Sequence, residues 1–210
     1  MGYDVISWLF RNELYGVALA MSANKSHQES FITEEEYLAG EQQANERHDY
    51  VDGQVYAMAG ASKQHNRIAR NFITNLSGAA DHSGCDIYFS DIKVRSESYK
   101  SYYYPDIVLS CEDDNGNDFY LENPCLIVEI TSASTMRKDY LEKALSYQSI
   151  DSLKAYLIVS QDKPQVDMLL RSTEDIWNLK QFNSLDDVLE LPCLDTTLTL
   201  EAVYSGINLS

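Results

Sequence analysis

From Ser62 onward, apolar residues recur at three- and four-residue steps: Ile68, Phe72, Leu76 and Ala79/Ala80, with Ala69 and Ile73 widening the stripe. That periodicity predicts a long amphipathic helix, and Ser62 after Gly60-Ala61 suits its N-cap. Upstream, Thr33 to Glu36 has the capping-box pattern, with Ile32 and Tyr37 at staple positions. A short helix from 34 to about 44 follows. Asp52-Gly53 between the β-prone runs Tyr50-Val51 and Gln54-Val55-Tyr56 predicts a hairpin. After residue 85 the period drops to two, predicting strands over 86–95, 102–109 and 125–131. Residues 137–149 return to helical spacing through Tyr140, Leu141, Ala144, Leu145 and Gln148. Residues 155–159 form a short apolar run of the buried-strand kind. Two further strands, 165–170 and 176–182, read as an antiparallel extension before a last short element near 197–204. The order is helix, three strands, helix, strand and a β-rich tail, which is an α+β or mixed α/β pattern.

Composition narrows the class. With 210 residues, 44% hydrophobic and 23% charged, the chain suits one globular domain with extensions. No apolar stretch reaches the roughly 18 residues of a membrane span. The first 20 residues carry two apolar patches split by Arg11 and Glu13, without the layout of a secretory signal. Met21 resembles a natural start. Residues 1–20 therefore read as a non-native or disordered extension, and 21–210 as a single domain. The four cysteines have neither CxxC spacing nor histidines at zinc-finger intervals, which points to free thiols in a reducing cytoplasm. The Asp/Asn/Gly-rich stretch 112–118 aligns partly with a calcium loop through Asp113, Asn115, Gly116 and Glu122. Cys111 would fill that loop's first ligand position and strands flank it, so a solvated turn is favoured.

A net charge of −17 argues against nucleic-acid binding by the whole surface. Locally the balance reverses, with six basic against four acidic residues between 63 and 100. Lys63, Arg67 and Arg70 share one helix face, suited either to phosphate contacts or to plain solvation.

Two acids stand out. Asp106 follows Pro105 and opens the run Ile107-Val108-Leu109, and Glu129 interrupts the run Leu126 to Ile130. Carboxylates on neighbouring strands can converge on a hard cation such as Mg2+ or Mn2+, which prefers oxygen ligands. Asp106 taken alone could initiate a turn. Glu129 is harder to explain that way, because a charge in an apolar run is rarely buried unpartnered. His65 near the helix start suits a substrate or water contact as well as a hydrogen-bonded structural role. Tyr102, Tyr103 and Tyr104 could stack on bases, but packing in the core or at a sheet edge is favoured. There is no GxSxG elbow and no P-loop.

Several ordered motifs carry a family resemblance. They are the stretch from His48 to Tyr56, Met58 to Ser62 with His65-Asn66, Tyr104-Pro105-Asp106, Val128 to Ser132, and Asp139-Tyr140 with Lys143 and Tyr147. The run from Tyr156 to Ser160 completes the set. In these the chain resembles the PD-(D/E)XK nucleases, and more narrowly a widespread bacterial family of restriction endonuclease-like proteins, from about residue 31 to 170. The resemblance implies a restriction-endonuclease-like core, a central mixed sheet flanked by helices with an N-terminal hairpin and C-terminal strands. It implies that Asp106 and Glu129 hold a catalytic Mg2+ (or Mn2+), with the Ile130 carbonyl as a further ligand. Where the superfamily has its lysine, two residues after the acid, this chain has Thr131, and Lys143 on the following helix matches the displaced lysine. On its own, Lys143 is equally explained by an exposed salt bridge with Asp139. Asp49 stands where the family often has glutamate. The expected activity is cleavage of DNA by a homodimer away from membranes. The rival is an inactive nuclease-fold protein serving as a protein-interaction module.

Overall fold

A computed structural model of the chain describes residues 31–58, 60–112, 117–132 and 142–208. Residues 1–20, the calcium-loop positions 113–116 and the helical stretch 137–141 lie outside these. The elements begin with α1 (Glu34–Glu41), β1 (His48–Val51), β2 (Gln54–Ala57), α2 (Lys63–Ser83), β3 (Asp86–Phe89) and β4 (Lys93–Ser96). They continue with β5 (Ser101–Tyr103), β6 (Ile107–Ser110), β7 (Tyr120–Leu121), β8 (Leu126–Thr131), α3 (Ala144–Gln148) and β9 (Ala155–Ser160). The chain ends in β10 (Val166–Arg171), β11 (Trp177–Phe182), β12 (Val188–Leu191), β13 (Thr196–Thr199) and α4 (Leu200–Val203).

The main sheet has six strands in the order β11-β10-β9-β8-β6-β3, parallel only at β8–β9. A second sheet runs β2-β1-β5-β4-β7, and β12 pairs with β13 alone. The architecture is mixed α+β. Side-chain alternation divides the core. Ile107, Leu109, Leu126 and Val128 face a cluster with Ile68, Phe72 and Leu76 of α2 and with Leu198 and Leu200 from the C-terminal hairpin and helix. Val108, Ile127, Tyr156 and Ile158 face the other way, toward Tyr103, Ala144 and Tyr147. A third cluster, Tyr37, Tyr50 and Tyr102, joins α1 to the second sheet, so the expected packing role fits the tyrosine run.

Local chemistry accounts for the element ends. Thr33 and Glu36 form the reciprocal capping box, and the Ser62 hydroxyl accepts from the His65 N–H at 3.0 Å. Asp52 (φ 41°) and Gly53 (φ 91°) form the β1–β2 turn. Gly84 (φ 67°) closes α2 in the left-handed region.

Two expectations need correction. The periodic runs 86–95 and 102–109 are not single strands. Each splits between the two sheets, the first at Ser90 (φ 68°) and the second at Tyr104-Pro105-Asp106. Proline has no N–H for a ladder, and positive φ breaks extended geometry. The cysteines are not free thiols: Cys85 is bonded to Cys111 and Cys125 to Cys193. Antiparallel pairing of Asp86 with Ser110 sets Cys85 opposite Cys111, a proximity that spacing along the chain does not reveal.

Among the described residues no helix is long and apolar enough to cross a membrane.

Candidate active site

The two breaks, at Ser90 and at Tyr104-Pro105-Asp106, lie side by side, with the Ser90 N–H directed to the Asp106 carbonyl at 3.4 Å. Beside them opens a cavity of about 490 Å³ lined by Asp49, His65, Asp106, Glu129, Ile130 and Lys143, among others. Strand register explains the convergence of the acids. Ile107 pairs with Val128 across β6 and β8, so continuing the ladder one step sets Asp106 opposite Glu129. Like charges directly opposite each other destabilise a sheet unless something compensates them.

Here cationic or donor groups compensate both. The Lys143 ammonium meets Glu129 Oε1 at 2.8 Å, with only 9% and 6% of the two side chains exposed. The Tyr147 hydroxyl donates to the same oxygen at 3.2 Å. On Asp106, Oδ2 accepts the Ile130 N–H at 2.6 Å, and Oδ1 lies 2.9 Å from His65 Nε2. Burial raises the phenols of Tyr103 and Tyr147 well above their ordinary range, so both remain neutral. The Lys143 Nζ also sits 5.5 Å from the centre of the Tyr103 ring, a cation–π arrangement.

Asp49 forms another wall, accepting the Tyr104 N–H at 3.2 Å. Behind it is a network that sequence reasoning missed. Glu41 Oε1 accepts from the His48 N–H at 2.9 Å and from the Tyr104 hydroxyl at 3.2 Å. The Lys93 ammonium also reaches the Tyr104 hydroxyl at 3.2 Å, and burial lowers the Lys93 pKa. Gln161 was missed as well. Its N–H donates to the Thr131 carbonyl, its carbonyl accepts from Gln64, and its side-chain oxygen accepts from Ser62 at 2.7 Å. The contacts with Ser62 and Gln64 join residues 99 and 97 positions apart, so no local motif could signal them.

The basic residues are not all at this cavity. Lys63 and Arg67 line an adjoining one of about 540 Å³, which shares Ser62 and Gln161 with the first. Arg70 lines neither and donates to Asn71 Oδ1 at 2.9 Å.

Among the described residues, no three His, Cys, Asp or Glu side chains gather to hold a metal by themselves. The donor chemistry nevertheless fits a hard divalent ion. The carboxylates of Asp106 and Glu129, with Asp49, line one cavity, and Mg2+ commonly takes one or two carboxylates and completes its shell with water and substrate phosphate.

A mixed sheet with helices packed on it, one carboxylate just before β6 and another within the adjacent β8, is a restriction-endonuclease-like fold of the PD-(D/E)XK superfamily. A crystal structure from Anabaena variabilis, described as a putative nuclease belonging to DUF820, has the same fold. It superposes with a TM-score of 0.64 at 14% identity, covering 84% of this chain and 99% of that one. The chain belongs to the Uma2 family, "Putative restriction endonuclease", which it matches over residues 34–202. Two Synechocystis relatives, both called uncharacterized, are similar. The protein slr1290 is 31% identical over 177 residues, 84% of this chain and 93% of its own length. The protein sll1609 is 32% identical over 133 residues, 62% of this chain and 75% of its own. Family and fold together point to a nuclease.

Proposed function

We propose that this protein is a Mg2+-dependent (or Mn2+-dependent) endonuclease that hydrolyses DNA phosphodiester bonds. The observation that carries this is the register placing Asp106 opposite Glu129 at one cavity, each acid already matched by a donor side chain. Asp106 and Glu129, with the Ile130 carbonyl, would hold the ion, which when bound polarises phosphoryl oxygens and acidifies water. Lys143, anchored on Glu129, orients the attacking water and offsets phosphate charge. His65 steadies Asp106 and faces the substrate from the start of α2. Asp49, one methylene shorter than the family's usual glutamate, positions water from the opposite wall. Lys63 and Arg67 take flanking phosphates in the adjoining cavity, and Arg70 extends the same helix face outward. A homodimer would bring two such faces together for a two-stranded substrate, and DNA as substrate implies the cytoplasm.

Plasmid nicking with Mg2+ tests the proposal. Asp106→Ala and Glu129→Ala should each lower the rate at least about 100-fold, the scale expected for losing transition-state charge stabilisation. Activity that survives both substitutions would sink it.

The −17 charge favours one rival, a nuclease-fold protein acting only through protein contacts. Titration calorimetry separates the two, since that reading expects no heat from millimolar Mg2+ or Mn2+.

A further inference from the structure

All four cysteines of the chain meet at the end of the main sheet opposite the carboxylates. Cys85 precedes β3, Cys111 follows β6, Cys125 precedes β8, and Cys193 lies in the turn between β12 and β13. The two disulfides touch: Cys111 Sγ lies 3.3 Å from Cys125 Sγ. Cys85 and Cys125 are buried, whereas Cys111 and Cys193 are partly exposed. Leu126, Leu191 and Leu194 belong to the same apolar cluster. Two independent staples do not require such contact. A sulfur of one bond resting against a sulfur of the other puts the two within reach of exchange, which proceeds by thiolate attack on a disulfide sulfur.

We propose that this cluster is a thiol–disulfide exchange site that takes a dithiol as substrate and releases Cys193 as its exit thiol. The proposal is independent of the nuclease reading. One thiolate of the dithiol attacks the accessible Cys111 Sγ. A mixed disulfide forms, the Cys85–Cys111 bond breaks, and Cys85 leaves with the electron pair and takes a proton. The second thiol of the dithiol then closes its own disulfide and expels Cys111 as a thiolate. Two electrons have passed from the dithiol to the protein. The Cys111 thiolate next attacks Cys125 Sγ at its side. The Cys111–Cys125 bond forms, the Cys125–Cys193 bond breaks, and the electron pair goes to Cys193, which is protonated from solvent. The product holds one disulfide and two thiols, at Cys85 and Cys193. The C-terminal hairpin is then no longer covalently tied to β8.

The test treats the full chain, purified without reductant, with one equivalent of dithiothreitol, followed by acid quench, alkylation and non-reducing peptide mapping. A Cys111–Cys125 linked peptide with Cys85 and Cys193 alkylated is expected. Two outcomes overturn the proposal: either original disulfide intact beside the alkylated pair of the other with no Cys111–Cys125 linkage, or four alkylated cysteines before any dithiol is added. In Cys111→Ser, alkylation of Cys193 at one equivalent should fall at least tenfold. Unchanged labelling there would overturn the relay, and the wild-type mapping decides the matter even if that variant folds poorly.

Discussion

Glu129 shows how a single residue connects sequence, stability and chemistry. Its position within an apolar run marks it in the sequence, since such a charge needs a partner. The partner's identity is not written locally: Lys143 reaches it from the next helix, 14 positions on. Removing one member of a buried pair leaves an uncompensated charge, at a cost of about 3–5 kcal/mol. Lys143→Ala should therefore lower the melting temperature by about 10 °C, since each kcal/mol moves a chain of this size by a few degrees. Millimolar Mg2+ should restore part of that loss, because a bound cation would take over the charge compensation at Glu129. Thermal melts with and without Mg2+ measure this, and a variant whose melting temperature ignores Mg2+ would count against a metal at Glu129. Asp106 was visible through its pairing with Glu129, and Asp49 only through the family resemblance. The Glu41–Tyr104–Lys93 network behind them was not, because its members become neighbours only after the second sheet forms.

Elements with chemical start and stop signals were legible, and elements that change partner in mid-run were not. The capping box at Thr33, the Asp52-Gly53 turn and the Ser62 cap all act within a few residues, so the sequence contains the whole interaction. The alternation through 86–95 and 102–109 holds on both sides of each break and conceals the passage from one sheet to the other. Pro105 was the visible mark of one break, and a positive-φ Ser90 has no comparable signature. Ser62 carries a prediction at this scale. Its hydroxyl both caps α2 and holds the Gln161 side chain at 2.7 Å. Ser62→Ala should cost about 1 kcal/mol of stability as a lost cap. Because Gln161 borders both cavities, the same variant should raise KM for DNA more than it lowers kcat. A change confined to the melting curve, with steady-state kinetics unaltered, would restrict Ser62 to a capping role.

The molecule as a whole is strongly acidic, and its proposed substrate is a polyanion. Among the described residues, Lys63 and Arg67 line the cavity adjoining the candidate site, so few phosphates should be engaged. A logarithmic plot of affinity against salt should then have a slope of about −2 to −3, near −0.9 per phosphate contacted. The double variant Lys63→Glu/Arg67→Glu should flatten it, as read by fluorescence anisotropy across a salt series. Salt-independent binding would exclude phosphate contacts at this face. The charge total and the basic helix face were both plain from the sequence; that Lys63 and Arg67 border a cavity and Arg70 does not required the folded chain. Strands β6 and β8 also carry carboxylates toward one end and sulfurs at the other. The five-residue step from Asp106 to Cys111 spans roughly 17 Å at the usual rise per strand residue. Nuclei beside the sulfurs and a paramagnetic Mn2+ at the carboxylates would therefore form a built-in molecular ruler. Relaxation enhancement along it would report occupancy of the cavity without any substitution among the residues that line it.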